Sequence, residues 1–272
     1  MGSRRPPDRR LPAHVYLRRR IVVGAGAIVT VVLLVSLIGR LFGGDASALP
    51  DTTTTLATTT TIPAPPECAV ADLMIAEDPD ADWATVVVDT ARRLPATYVP
   101  ADLGQVADAG FAVGEGVFVR SFVVSDLRAL REAAATNGTP ITVLAAYRSF
   151  DAQQQILDQR ITEFGEEEAL RRAARPGHSE HQLGTTVDVT SDGLTDVDQA
   201  WGSSPTGIWV AANAAEFGFL VTFPEGSEDR TCYTYEPWHL RYVGRDLAAA
   251  VTASGLTLRE YLYAYHAPAD GP

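Results

Sequence analysis

An α+β domain, a small and mainly antiparallel sheet flanked by helices, is what the sequence predicts for residues 67–266. Three observations predict it. Short β-branched runs such as Ile141–Ala146 and Gly218–Phe223 read as buried strands. Stretches with apolar residues at helical spacing precede and follow these clustered strands. Two polar knots, Pro176–Asp188 and Glu236–His239, interrupt otherwise core-forming sequence and hold three of the five histidines of the 272-residue chain.

In order, Trp83–Arg93 reads as a helix or strand entry ending at Leu94-Pro95, and Tyr98–Leu103 as a turn-rich connection. Val119–Ala135 carries a helical stripe, with Ser125-Asp126 as its cap and Asn137-Gly138 closing it. The strand Ile141–Ala146 delivers Tyr147-Arg148-Ser149. The helix after it takes Asp151 as its cap and carries Gln153, Ile156, Leu157 and Ile161 on one side, to the break at Gly165. Glu166–Ala174 is a second helix, acidic at its start and arginine-rich at its end, as the helix dipole favours. Pro176-Gly177 ends it, and the first knot leads into a Val-Asp-Val strand. Thr206–Phe217 reads as a helix, Thr231–Tyr242 places the second knot on a further strand, and Arg245–Tyr265 is helical with a break at Ser254-Gly255.

Ahead of the domain the composition changes twice. Ile21–Gly39 is an uncharged apolar run of nineteen residues behind Arg18, Arg19 and Arg20. That run can cross a bilayer core, and the flanking arginines place the N-terminus inside and the domain outside. The expected organisation is a basic cytoplasmic tail over 1–20, a transmembrane signal anchor over 21–43 and a Thr/Pro-rich linker over 44–66, which is too polar to bury a core. The alternative is a signal peptide cleaved near Ala48, making the protein secreted. Cys68 and Cys232 are the two cysteines, and in an oxidising compartment they are expected to pair.

Charge excludes one class of partner. Residues 1–44 hold eight arginines and one acid. The rest therefore carries 22 − 8 = 14 arginines against 34 − 1 = 33 acids, a net charge of −19. A body this acidic repels the phosphate backbone, so nucleic acid is not expected as a partner. A monomer is expected.

The knots offer His181, Asp188, Glu236 and His239. A hydrolytic zinc needs three protein donors, an open position for water and a base beside it. Gly184 lets the chain bend so that His181 and Asp188 converge. The three-residue spacing of Glu236 and His239 lets the imidazole bind metal while the carboxylate reaches water. Arg148, at the end of a buried strand, can bind a substrate carboxylate or stabilise an oxyanion. His178 is read as standing outside the ligand set, in an outer shell or at the surface, and His266 as solvated.

The pattern Ser179-x-His181-x-x-Gly184-x-x-x-Asp188, followed by Glu236-x-Trp238-His239, resembles the VanY-type D-alanyl-D-alanine carboxypeptidases, zinc peptidases of the bacterial cell wall similar in fold to the hedgehog domain. Tyr147-Arg-Ser-Phe-Asp-Ala-Gln153, Leu94-Pro-x-x-Tyr98-x-Pro-x-Asp-Leu103 and Arg241-Tyr-Val-Gly244 also fit, so the resemblance spans roughly Trp83–Tyr242. Thr186 and Leu240 depart from the family's usual residues at positions that are not ligands. The resemblance implies Zn2+ on His181, Asp188 and His239, and Glu236 as general base. It implies Arg148 on the substrate carbonyl or terminal carboxylate, with Tyr147, Ser149, Gln153 and Ser179 lining the pocket. The implied activity is D,D-carboxypeptidase cleavage of peptidoglycan stem peptides. The alternatives are L,D-carboxypeptidase or endopeptidase action at the same site, or a non-catalytic zinc-stabilised wall-binding module.

Overall fold

The computed structural model describes residues 67–266. The basic tail, the anchor over 21–43 and the linker to residue 66 lie outside the described residues. Among the described residues no helix is long and apolar enough to cross a membrane.

The strands β1 (Leu73–Met74) and β2 (Arg92–Arg93) form a small parallel pair, and β3 (Leu103–Gln105) and β4 (Phe118–Arg120) an antiparallel one. The central sheet is built from β5 (Ile141–Ala145), β6 (Thr186–Ser191), β7 (Phe219–Val221) and β8 (His239–Tyr242), in the order β5-β6-β8-β7, with every pairing antiparallel.

Alternation along these strands divides the sheet into two chemical faces. Val187 and Val189 of β6 and Leu240 and Tyr242 of β8 belong to the main core, together with Ile141 and Val143 of β5. Helix α1 (Val124–Thr136) packs in that core through Leu127, Leu130 and Ala134, all fully buried at a spacing of three and four. The opposite face carries Asp188, His239 and Arg241. Register aligns Asp188 directly with His239 on one side and Ala145 on the other, next to an irregularity in β5 between Val143 and Ala145. Two polar residues distant in sequence thus become cross-strand neighbours.

Helices α2 (Phe150–Phe164) and α3 (Glu166–Arg172) meet at Gly165 and pack through Leu157, Ala169 and Ala173. Beyond them come α4 (Pro205–Asn213), the short α5 (Glu228–Thr231), α6 (Arg245–Ser254) and α7 (Leu258–Tyr265). The break between the last two falls at Gly255, as the sequence predicts, and α7 opens with a reciprocal Thr257–Glu260 capping box. Cys68 and Cys232 are disulfide-bonded, with Cα atoms 5.3 Å apart.

Several expectations need correction. Trp83–Arg93 is neither a helix nor a long strand: only Arg92–Arg93 is strand, and the irregular chain before it packs Val86 and Val88 into one hydrophobic cluster and Val87 into another. Its carbonyls at Trp83 and Val86 accept from the Arg241 guanidinium instead of joining a ladder. The segment from Val119 begins as β4 and a 3-10 turn, so α1 starts only at Val124 and has no side-chain cap. Asp126 is drawn away to accept from the Tyr242 hydroxyl at 2.7 Å and from Arg245 at 2.6 Å. Ser149, not Asp151, caps α2, accepting from Ala152 N at 3.2 Å. Helix α4 starts at Pro205 and gives way to a 3-10 turn at Ala214. Of Thr231–Tyr242 only His239–Tyr242 is strand, so Glu236 sits on the approach to β8 and not within it.

The turn Glu180–Leu183 that leads into β6 closes on Gly184 at φ 72°, where an added Cβ would meet Arg120, Pro100 and Leu103 at 3.1–3.2 Å. Gly193 has a similar φ of 84° but open space around it. Gly184→Ala is expected to lower unfolding free energy by clearly more than Gly193→Ala, which pays only the left-handed strain of roughly 1–2 kcal/mol. Denaturant titration checks this, and equal losses would show that close packing at Gly184 is not what requires glycine.

Candidate metal centre and active-site cleft

Three donor atoms, one each from His181, Asp188 and His239, lie within 4.8 Å of one another. Each imidazole is oriented from behind. His181 Nδ1 donates to the Ala146 carbonyl at 2.8 Å, which leaves Nε2 facing Asp188 Oδ2 at 3.3 Å. His239 turns the other way: its Nε2 meets Glu180 Oε2 at 3.0 Å, and its Nδ1 faces Asp188 Oδ1 at 3.3 Å and Glu236 Oε2 at 3.6 Å. A partner behind each ring that fixes the nitrogen presented in front is what metal-binding histidines require.

Asp188 Oδ1 is buried and accepts no hydrogen bond, although His239 Nδ1 lies 3.3 Å away. The two atoms are close without being aligned on each other, as expected of donors aimed at a shared centre. Two imidazoles and one carboxylate with further acidic groups around them call for a divalent cation, and this N,N,O set suits zinc with an open position. Burial alone would raise the Asp188 carboxyl, but His181 and His239 hold it well below the usual carboxylate range. Burial raises the Glu236 carboxyl to about 7, with His239 pulling it back and Asp188 pushing it further up. A carboxylate so poised suits proton transfer near neutral pH.

Glu180 is the functional residue that sequence reasoning missed. It is buried on the turn before β6 and accepts from Arg241 Nη1 at 2.9 Å and Thr222 Oγ1 at 2.9 Å, besides facing His239. Burial would raise it, but Arg241 and then His239 outweigh that and hold it at about 2. The available signal was Arg241, two residues after His239 on the same strand face, since a buried guanidinium needs an acid.

The cleft in front of the donors has a volume of about 230 Å³. Arg148, Gln153, Ser179 and Glu236 line it alongside the donors. Arg148 Nη1 donates to Gln153 Oε1 at 2.9 Å, Gln153 Nε2 donates to the Ala174 carbonyl at 2.7 Å, and Arg148 Nη2 lies 3.6 Å from Asp188 Oδ2. Gln153 therefore anchors the arginine as well as lining the wall. Ser179 Oγ also caps the His181 turn. Tyr147 and Ser149 flank Arg148 but are not among the cleft's lining residues, and the Ser149 hydroxyl is engaged as the α2 cap. His178 is no surface residue: it is 2% exposed, its Nδ1 donates to the Asp89 carbonyl at 2.7 Å and its Nε2 meets Asp72 Oδ1 at 3.1 Å. Both its nitrogens are turned away from the donor set, and His266 is exposed.

A three-donor nest with a glutamate at its lip, set on the polar face of a small antiparallel sheet, belongs to the zinc metallopeptidase class. The model of the VanY D-alanyl-D-alanine carboxypeptidase family matches residues 117–245. The chain is 32% identical over 190 residues to a D-alanyl-D-alanine carboxypeptidase of Enterococcus faecalis (strain ATCC 700802 / V583), a match covering 66% of each. Among solved structures, the LdcB LD-carboxypeptidase is similar with a TM-score of 0.64 and 35% identity, over 70% of this chain and 89% of that one. The vancomycin resistance D,D-pentapeptidase VanY, solved in complex with Zn(II), is similar with a TM-score of 0.57 and 30% identity, over 66% of this chain and 99% of that one. The chain belongs to the VanY D-alanyl-D-alanine carboxypeptidase family. It spans 65% and 66% of the length of two curated relatives it matches.

Glu180→Gln keeps the shape and removes the charge behind His239. Zinc affinity, measured by competition with a chromophoric chelator, is expected to fall roughly 10- to 100-fold. Unchanged affinity would mean that Glu180 does not orient this ligand.

Proposed function

We propose that the protein is a membrane-anchored zinc D,D-carboxypeptidase that hydrolyses the terminal D-Ala-D-Ala bond of peptidoglycan stem peptides. The observation that carries this is the juxtaposition, in one small cleft, of the His181, Asp188 and His239 donors with Glu236 on one side and Arg148 on the other. Arg148, as a partner for a terminal carboxylate in this cleft, favours exopeptidase over endopeptidase action.

His181, Asp188 and His239 hold Zn2+ in this account. When bound, the ion acidifies a water and polarises the scissile carbonyl. Arg148, held by Gln153, binds the terminal carboxylate of the peptide or the oxygen of its carbonyl, while Ser179 lines the same wall. Glu236 takes a proton from the attacking water. The same carboxyl then delivers it to the departing D-alanine nitrogen as the C–N bond breaks, so that water is divided between the two products. Tyr147 and Ser149 support the segment that carries Arg148.

For localisation we propose that residues 21–43 anchor the chain with its N-terminus inside and residues 44–66 tether the domain outside. The arginines before Ile21 support the orientation, and the Cys68–Cys232 disulfide suits an oxidising compartment. All donors, the base and the arginine come from one chain, which supports a monomer as the working unit.

A second reading has a specific observation behind it. The similarity to an LD-carboxypeptidase, at 35% identity and a TM-score of 0.64, supports L,D cleavage of tetrapeptide stems on the same residues. Zinc-loaded protein incubated with pentapeptide and tetrapeptide stems separates the two by which one releases D-alanine. Release from the pentapeptide alone is expected, release from the tetrapeptide alone would move the assignment to L,D cleavage, and binding without cleavage would mark a non-catalytic module. Glu236→Ala is expected to keep its zinc and lose about 10²- to 10⁴-fold in kcat. Undiminished turnover would remove Glu236 from the mechanism.

A further inference from the structure

The cleft contains two cations for which hydrolysis has no use. Arg160 of α2 and Arg172 of α3 both line it, on the wall that begins with Arg148 and Gln153. The two helices meet at Gly165, so Phe164 comes to lie against both arginines: their guanidinium carbons are 6.0 Å and 4.8 Å from its ring centroid. Phe164 is itself 40% exposed. An aromatic ring left in solvent between two guanidiniums restrains both planes while leaving their edges available.

Each arginine also has an acid on its own helix. Arg160 Nη1 is 2.8 Å from Glu163 Oε2, and Arg172 Nε is 2.6 Å from Glu168 Oε1. All four side chains are between 41% and 48% exposed. Exposed pairs at these i,i+3 and i,i+4 spacings contribute little to stability, so exchanging one for a ligand carboxylate costs little. The cleft's own acids are otherwise engaged: Glu180 with Arg241 and His239, and Asp188 and Glu236 around the donor nest. Three arginines line this one cleft although the chain after residue 44 carries a net −19.

We propose that Arg160 and Arg172 form a second anion subsite that binds a side-chain carboxylate on the substrate, upstream of the scissile bond. Resting on the carboxypeptidase reading, this names the preferred substrate class: stem peptides whose diamino residue bears a free second carboxylate, in preference to stems with lysine or with that carboxylate amidated. Arg148 takes the chain's terminal carboxylate, and the α2–α3 wall tests the residue that precedes the cleaved segment.

The test compares three stem peptides, identical except for diaminopimelate, its side-chain amide or lysine at the diamino position. Each is assayed with the zinc-loaded full chain and with Arg160→Gln, Arg172→Gln and the double variant. The native protein is expected to favour the free acid in kcat/KM by roughly three- to tenfold, mostly through KM. The double variant should lose that preference, its kcat/KM for the free acid falling to that for the lysine peptide. Arg171→Gln, on the same helix but outside the cleft lining, should behave as the native protein and controls for folding. No preference in the native protein, or a preference that survives the double substitution, would overturn the subsite. If no peptide is cleaved, the carboxypeptidase reading fails separately. Calorimetric binding of the same peptides then decides the subsite: a free-acid preference abolished by the double variant supports it, and its absence or survival overturns it.

Discussion

The Glu180 carboxylate, shared between Arg241 and His239, is the contact on which the arrangement of the site depends. Taking a carboxylate and a guanidinium out of water is expensive, and the cost is offset by the hydrogen bonds each then makes. Glu180 also accepts from Thr222, and Arg241 donates through both terminal nitrogens, to Glu180 and to the carbonyls of Trp83 and Val86, with its buried Nε left without a partner. One ion pair thus joins the His181 turn, β7's following residue, β8 and the irregular chain near Trp83. Removing either charge would strand the other in the interior, at a cost of roughly 3–5 kcal/mol. Because His239 hangs from the same carboxylate, what stabilises this part of the fold also sets the direction of a metal donor.

The sheet separates the two tasks that the domain must perform. One face buries Val187, Val189 and Leu240 against α1, and the other presents Asp188 and His239 in register. Donors fixed on adjacent strands move less than donors on loops, and the third donor, His181, is tied to β5's end through the Ala146 carbonyl. The Cys68–Cys232 link closes a span of 164 residues, for which loop-closure entropy alone predicts stabilisation of about 5 kcal/mol. It secures the segment containing Asp72, which meets the buried His178 of the cleft wall.

Much of this was legible in the sequence, for identifiable reasons. Ile141–Ala145 is β-branched and short, and it folds as the strand that such composition favours. His181, Asp188, Glu236 and His239 stand out because donor-type side chains are rare elsewhere in a core-forming stretch, and the fold brings all four together. What escaped was long-range. Val86–Val88 alternate between two clusters as an extended segment does, yet the Val86 carbonyl is taken by Arg241, and local pattern does not report which partner a backbone group will meet. The Asp126 and Asp151 caps failed because local propensity lost, in one case, to a tertiary bond from Tyr242 and, in the other, to a serine two residues earlier. Glu180 escaped for the same reason: its meaning lies in Arg241, sixty-one residues away.

The central claim is that two imidazoles and one carboxylate of this chain hold a single zinc with room for a further ligand. Zinc K-edge X-ray absorption on the loaded protein tests it most directly. One zinc per chain is expected, with two imidazole ligands at about 2.0–2.1 Å and the remaining shell from oxygen. One imidazole contribution should be lost in His239→Ala. Sulfur in the shell, three or more imidazoles, or a spectrum unchanged by that substitution would contradict it.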